Sequence, residues 1–299
     1  MTAFAVAPRF VWHYIIAVKK AVPGYLGPYR LLNVVHTGPT SQIWQAYDDG
    51  RKCFAAVKTL LEDYRRKRQY VAYLRWEYKV GFPLACERII RIYEFAHDRG
   101  VPYLAMEWFA GMTMKQRLRQ GVEAIAAQVP KIAVQAAEGL AYFNAQGWVH
   151  RDIKPENFLV ADDGDVKLID FALARRSGRL LGRLFSPRSR VQGTKSYMSP
   201  EQIRGKPLDE RADIYSLGCT LYELIAGRPP FTGTSVKELL NRHLKAPPPP
   251  LEAANRRVTP EFSQLIGWAM AKSPTDRPRS SEEFCERIRQ TAVFRRVLQ

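Results

Sequence analysis

The sequence predicts an α+β protein of two lobes: a small, strand-rich N-terminal part with one main helix, and a larger, mostly helical C-terminal part. Two patterns carry this reading. Residues 29–106 run as short apolar segments separated by turn residues, whereas beyond Gly111 the apolar positions recur mainly at helical spacing. Composition supplies the third observation. A chain of 299 residues with 46% hydrophobic and 25% charged residues is that of a folded protein and excludes a disordered, collagen-like or polytopic membrane chain. At that length about three quarters of the unfolded surface can be buried.

Taken in order, strands are expected at 29–35, 41–47, 54–60, 89–95 and 103–106. One helical stretch interrupts them, and in it Tyr70, Leu74 and Glu77 fall at i, i+4 and i+7, so an acidic residue shares the inward face. Helices are expected at 129–146, 214–225, 260–271 and 282–291. No internal repeat occurs, and the proline run 247–250 reads as a short extended spacer between helices. Residues 10–18 are apolar but broken by His13 and followed by Lys19 and Lys20, too short to cross a bilayer. A weak peripheral membrane contact through residues 8–22 is the most this segment suggests. Cys53, Cys86, Cys219 and Cys285 are far apart and without metal-site spacing, as expected of buried thiols in a reducing compartment.

The charge is unusual. Lys and Arg number 46 against 29 Asp and Glu, a net +17, which predicts anionic partners without naming them. No recognised nucleic-acid motif accompanies it, so nucleic acid is not expected among them. Two clusters stand out: Arg65, Arg66, Lys67 and Arg68 ahead of the Glu77 helix, and Arg175, Arg176, Arg179, Arg183, Arg188 and Arg190 in a stretch with no Asp or Glu between Phe171 and Pro200.

The chemistry is concentrated between His150 and Asp170. His150-Arg151-Asp152-Ile153-Lys154-Pro155-Glu156-Asn157 fits the H-R-D-x-x-x-x-N catalytic loop of protein kinases at every fixed position. Asp170-Phe171-Ala172 begins thirteen residues after Asn157. The apolar segments 158–160 and 166–169 flank Asp163-Gly164, a hairpin signal that would hold Asn157 and Asp170 close, as ligands of one metal cluster require. A base, a carboxamide and a carboxylate so arranged suit phosphoryl transfer, in which positioning and charge neutralisation supply most of the catalysis.

On these residues the chain resembles the eukaryotic-like serine/threonine protein kinase family, over roughly 29–289. The other motifs arrive in order: Ala55-Ala56-Val57-Lys58, then Glu77, then Tyr103-Leu104-Ala105-Met106-Glu107-Trp108-Phe109, then Gly193-Thr194 through Ser199-Pro200-Glu201, then Asp213-Ile214-Tyr215-Ser216-Leu217-Gly218 and Asp276-Arg277-Pro278. The resemblance implies an antiparallel N-terminal sheet and a kinase domain over 29–292. Its N-lobe would cover 29–106, its hinge 107–111 and its C-lobe 112–292, with an extension at 1–28 and a tail at 293–299. It implies Asp152 as the group that orients and deprotonates a hydroxyl and Lys154 as the cation on the transferring phosphoryl group, with Thr194 bridging the two. Asn157 and Asp170 would hold magnesium, with manganese as a substitute. Lys58, fixed by Glu77, would contact the phosphates of ATP. Val35, Gly38, Ile43, Ala56, Met106 and Leu159 would line the nucleotide site, with backbone groups of Glu107 and Phe109 meeting adenine. Asp213 and Arg277 are expected to be structural, the first bracing the catalytic loop and the second pairing with Glu201. Protein serine and threonine hydroxyls are the implied substrate, and Arg151 marks the class in which a phosphorylated segment docks beside the catalytic loop. Autophosphorylation at Ser177, Ser186 or Ser189 would order the cationic stretch. With only residues 290–299 after Arg289, any sensor or anchor is expected on another protein, and the chain is expected in the cytoplasm.

Two local departures qualify the match. Where the family carries G-x-G-x-x-G-x-V, the chain has His36-Thr37-Gly38-Pro39-Thr40-Ser41-Gln42-Ile43, which keeps one glycine and lacks one N–H at Pro39. Ala172 replaces the glycine after Asp170-Phe171, at a cost of about 1–2 kcal/mol if φ there is positive and none if it is negative. Weakened ATP affinity is the expected consequence. The rival expectation is a pseudokinase that binds partners without transferring phosphate.

Overall fold

The computed structural model describes residues 24–177 and 193–295. The N-terminal part is a six-stranded antiparallel sheet in the order β1-β2-β3-β4-β6-β5. Its strands are β1 (Tyr25–Leu26), β2 (Tyr29–Thr37), β3 (Ser41–Asp48), β4 (Cys53–Leu60), β5 (Ile92–Asp98) and β6 (Val101–Glu107). The short helix α1 (Glu62–Arg65) leads into α2 (Arg68–Gly81), which buries Leu74, Glu77 and Val80. The i, i+4, i+7 reading therefore holds in part: Leu74 and Glu77 are inward, while Tyr70 is half-buried.

The expected strand 89–95 begins instead at Ile92. Residues 88–90 pair with the C-terminal part: the Ile90 N–H donates to Leu168 O (3.0 Å) and the Leu168 N–H to Arg88 O (2.8 Å). An apolar run in sequence does not reveal which partner its backbone will take, and here a single parallel bridge from Ile89 to Leu168 took it.

Beyond β6 the chain forms β7 (Gly111–Thr113), β8 (Trp148–Val149), β9 (Phe158–Ala161), β10 (Val166–Leu168) and β11 (Arg175–Arg176), in two small sheets ordered β10-β9-β7 and β11-β8. The helices are α3 (Met114–Arg119), α4 (Val122–Ile125), α5 (Val129–Ala145), α6 (Pro200–Ile203), α7 (Glu210–Ala226), α8 (Val236–Lys245), α9 (Leu251–Ala254), α10 (Pro260–Ala269) and α11 (Ser281–Gln290). Helix α7 buries 14 of its 17 residues, so it is packed on all sides and forms the centre of this part. One apolar core runs from Ala56, Leu74 and Met106 in the sheet and α2 through Phe143, Phe158 and Phe171 to Ile214 and Leu217, and a second lies on the outer face of the sheet around Tyr29, Val57 and Tyr103. Seating α2 and the catalytic loop on one core fixes the N-terminal cation against the C-terminal carboxylates.

Candidate active site

The catalytic loop leaves β8 in a conformation that needs support. Arg151 sits at φ 73°, in the left-handed region that disfavours side chains. The support is Asp213 in the first turn of α7. Its carboxylate accepts the N–H of His150 (2.7 Å), the N–H of Arg151 (2.8 Å) and the Asn144 amide (3.0 Å). Burial pushes this carboxyl up, and those donors resist the push. Gly193 lies against the same turn at φ 115°, and an added Cβ would stand 3.1 Å from Arg151 O. Arg277 pairs bidentately with Glu201 (2.7 and 2.8 Å) and also donates to Ala271 O and Arg211 O, so it ties the start of α6 to α7 and to the loop after α10.

Within that frame four side chains converge. Lys154 Nζ donates to Asp152 Oδ2 (2.6 Å) and to Thr194 Oγ1 (2.8 Å). Asp152 Oδ1 accepts the N–H (2.9 Å) and the hydroxyl (3.1 Å) of Thr194. Asn157 donates its amide to Asp152 O (2.7 Å) and Oδ2 (3.3 Å), so its carbonyl oxygen is the end left for a cation. Strands β9 and β10 form the antiparallel hairpin expected across Asp163-Gly164, and the Ile169 N–H donates to Asn157 O (2.9 Å), which brings Asp170 beside Asn157.

Lys58 on β4 reaches Glu77 on α2 at 2.7 Å and Asp170 at 3.9 Å. Loss of water works against the Lys58 ammonium, but Asp170 and Glu77 outweigh it and raise it above the ordinary lysine value. Burial pushes Glu77 up and Lys58 pulls it back; a 2.7 Å contact to a protonated ammonium is that of an ion pair. Desolvation also pushes Asp170 up, yet Lys58, His150 and the Ala172 N–H hold it below the ordinary carboxylate range. Asp170 is itself left-handed at φ 65°, whereas Ala172 is not among the positive-φ residues, so the alanine is accommodated without strain. Phe171 is fully buried, stacked on Phe143 (5.3 Å) and edge-on to His150 (5.9 Å) beneath the end of α2.

The expected nucleotide residues divide into two groups. Ala56 and Met106 face each other across β4 and β6 and share the main core with Ile43 and Leu159. Glu107 has its side chain locked by Lys167 (2.7 Å) and the Arg91 N–H (2.7 Å), and its own N–H donates to Arg91 O (2.9 Å). Phe109 closes the hinge by accepting the Gly111 N–H (2.9 Å). Val35 and Gly38 stand apart from this group. Val35 is exposed, in a register shift between Val34 and His36. Gly38 has no positive φ, and its N–H is taken by Ser41 O (2.8 Å). With Pro39 lacking an N–H, the first two amides of this loop cannot donate to a phosphate in this conformation.

Sequence reasoning missed the clamp on the segment after Asp170. Trp76 on α2 donates its indole N–H to Ala174 O (2.9 Å) and meets Trp148 edge-on (5.9 Å). Arg175 lies over the Trp76 ring (5.1 Å) and Arg176 over Trp148 (4.1 Å). Arg151 Nε is buried without a hydrogen-bond partner, and burial together with Arg175 holds its guanidinium below the usual value. Of the arginines and serines singled out beyond this clamp, Ser177 is described; Arg179, Arg183, Arg188, Arg190, Ser186 and Ser189 lie outside the described residues, as do residues 8–22.

The order of these motifs and their convergence on one cleft match a known pattern. The model of the protein kinase domain fits residues 29–289. The chain belongs to the protein kinase domain family. Among its relatives, a probable serine/threonine-protein kinase of Streptomyces coelicolor is 33% identical over 262 residues, 86% of this chain and 39% of the relative. The serine/threonine-protein kinase PknL of Mycobacterium tuberculosis is 33% identical over 243 residues, 81% of this chain and 60% of PknL. The chain thus spans less than two thirds of these relatives' length, 39% of one and 60% of the other. The PknI kinase domain of Mycobacterium tuberculosis shares the fold with a TM-score of 0.68 at 22% identity, covering 92% of this chain and 100% of that one. The protein kinase domain is the one the resemblance implied, and the Streptomyces coelicolor relative and PknL are named serine/threonine-protein kinases. Among the described residues no helix is long and apolar enough to cross a membrane.

Proposed function

We propose that this chain transfers the γ-phosphoryl group of ATP to serine and threonine hydroxyls of proteins, in the cytoplasm. The observation that carries the proposal is the Asp152 cluster, where a carboxylate, the Lys154 ammonium, the Thr194 hydroxyl and the Asn157 amide meet within 3.3 Å. Asp152 already accepts one hydroxyl, that of Thr194, and would orient and deprotonate a second, that of the substrate. The oxygen so released attacks the γ-phosphorus, the bond to the β-bridging oxygen breaks, and ADP leaves. Lys154, held on the same carboxylate, neutralises charge on the group in transit. Lys58, fixed by Glu77, would take the α- and β-phosphates.

The oxygen donors fit a small hard cation: Asp170 is ionised and partly exposed, and the Asn157 carbonyl points away from its own hydrogen bonds. Asp170 and Asn157 would hold magnesium, or manganese in its place, which supplies neutralisation of phosphate charge. Adenine would lie against Ala56, Met106, Ile43 and Leu159 and bond to the backbone of Glu107 and Phe109. Val35 and Gly38 would cover it only after the loop opens the Gly38–Ser41 hydrogen bond, so ATP affinity is expected to be weak. The catalytic unit would be residues 29–292, hinged at 107–111. Arg151 and Arg175, two cations crowded with little compensation, would accept a phosphate placed on Ser177 or beyond it.

Phosphoamino acid determination after reaction of labelled ATP with a mixture of serine, threonine and tyrosine peptides tests this directly. Label on serine or threonine and none on tyrosine is expected. Label on tyrosine alone, or none on any peptide, would overturn the proposal.

A further inference from the structure

Between the end of α6, the start of α7 and the loop after α10 the fold leaves a cavity of about 440 Å³ that phosphoryl transfer does not use, with Arg204, Lys206, Arg211 and Lys272 in its wall. The two carboxylates that line it are already engaged. Glu201 is held bidentately by Arg277 (2.7 and 2.8 Å), and Asp209 is held by Arg211 through contacts of 2.6, 3.1 and 3.2 Å. Among the described residues no carboxylate pairs with Arg204, Lys206 or Lys272, so the cavity keeps uncompensated positive charge. Arg204 and Lys206 are exposed, and Lys272 is half-buried.

Lys272 differs from the other two in its seat. Its Nζ lies 4.2 Å from the centre of the Phe231 ring and 5.6 Å from that of Tyr215, and it donates to the Tyr215 hydroxyl (3.4 Å). Both rings are buried, and the backbone is fixed as well, since Lys272 O accepts from Arg277 (3.3 Å). The amine is therefore held in place at the cavity wall. The charged groups around it share its sign. The Arg277 guanidinium stands 4.9 Å over the same Tyr215 ring, and His243 on α8 is bonded to the Tyr215 hydroxyl (2.9 Å). Cys219 on α7 offers no counter-charge, because burial pushes its thiol up to about 12. The ring faces favour an ammonium. Loss of water works against it, Arg277 adds to that, and Lys272 is pushed down to about 8. A large share of it is thus neutral amine near pH 8, the form that acts as a nucleophile.

We propose that Lys272 is an acylation site whose acyl donor is a small acyl phosphate, the phosphate being held by Arg204 and Lys206. Nζ attacks the carbonyl carbon, and the bond from that carbon to the bridging oxygen breaks. Inorganic phosphate leaves with the electron pair, the amine's proton passes to water, and a neutral amide remains. A donor of this class carries its anionic group one oxygen away from the carbonyl, which suits cations and an amine that share one cavity. In a thioester of coenzyme A the phosphates lie far from the carbonyl. The reaction is independent of Asp152 and of ATP.

The full chain is incubated with acetyl phosphate at pH 8, and acetyl on each lysine is followed over time by mass spectrometry. Lys272 is expected to gain acetyl about tenfold faster than the exposed Lys237 and Lys245, and excess inorganic phosphate should slow Lys272 alone. Arg204→Gln with Lys206→Gln should slow Lys272 severalfold and leave Lys237 unchanged. If that variant is impaired in folding, competition by phosphate in the unaltered chain decides the same point. Acetyl coenzyme A at the same concentration should show no preference for Lys272. Acetylation of Lys272 no faster than of Lys237, a rate at Lys272 unchanged in the folded double variant or by excess phosphate, or the same preference with acetyl coenzyme A would each overturn the proposal.

Discussion

Two residues of the catalytic loops, Arg151 and Asp170, occupy left-handed backbone, and both are held there by neighbours: Asp213 for the first, the Ala172 N–H on its own carboxylate for the second. Local strain of this kind persists only where the surroundings over-determine it. The tripeptide Asp170-Phe171-Ala172 thus carries its positive φ at the aspartate, and the alanine that departs from the family pattern has no strain to relieve. Ala172→Gly is expected to lower stability by about 0.4–1 kcal/mol through the greater freedom of the unfolded chain, with little change in transfer rate. Urea unfolding and initial rates check both. A variant that gains stability would show that alanine is strained after all.

At the scale of the element, α2 works because its last turn comes close to the core. A Cβ on Gly81 would run into Ile92 Cδ1 and stand 2.8 Å from Phe171 Cδ2, so glycine is what lets Phe171 tuck beneath the helix. Gly81→Ala is expected to cost about 1–3 kcal/mol, as overpacking does, and to reduce transfer more than that loss alone explains, because the displaced ring adjoins Asp170. Comparison of unfolding midpoints with transfer rates at a temperature where the variant is folded decides it; a well-folded variant with full activity would count against this seat. The same elements show what was legible in sequence. Lys58, Glu77, Asp152, Asn157 and Asp170 could be found because each stands at fixed spacing inside its own strand, helix or loop. The helix 129–146 could be found because burial of one face imposes a period, and 214–225 because a helix buried on all sides reads as a long, mostly apolar run, which the structure extends to Glu210 with the Asp209 cap. The Trp76 clamp could not, because its contact to Ala174 spans 98 residues and obeys no local pattern. Nor could the closure of the loop at Gly38, whose N–H donates to Ser41 O without a positive φ.

For the whole molecule, one buried histidine couples stability to pH. His243 on α8 is fully buried, bonded at Nδ1 to the Tyr215 hydroxyl (2.9 Å) and edge-on to Phe231 (4.9 Å). Burial, reinforced by the nearby Lys272, pushes it down to about 4. An unfolded histidine titrates near 6.5, so between about 6.5 and 4 the unfolded chain takes up a proton that the folded one refuses. The stabilisation is complete above this window and is lost as pH falls through it. From pH 7 to 5 the loss is about 2 kcal/mol, and His243→Phe is expected to flatten that slope. Urea unfolding at the two pH values measures it; equal slopes in both proteins would rule out His243 as the cause.

Charge is the other property of the whole. Of the net +17, Lys58 and Lys154 belong to the candidate active site, Arg151, Arg175 and Arg176 to the segment beside it, and Arg66, Arg68, Arg75 and Lys79 to the outer face of α2 and the turn before it. The proposed transfer reaction turns on Asp152. Transfer of label from ATP to protein serine or threonine should fall by a factor of about 10² to 10⁴ in Asp152→Asn, while the nucleotide-induced thermal shift is retained. Equal transfer by the two proteins, or a nucleotide-induced shift in wild type with no transfer at all, would contradict it.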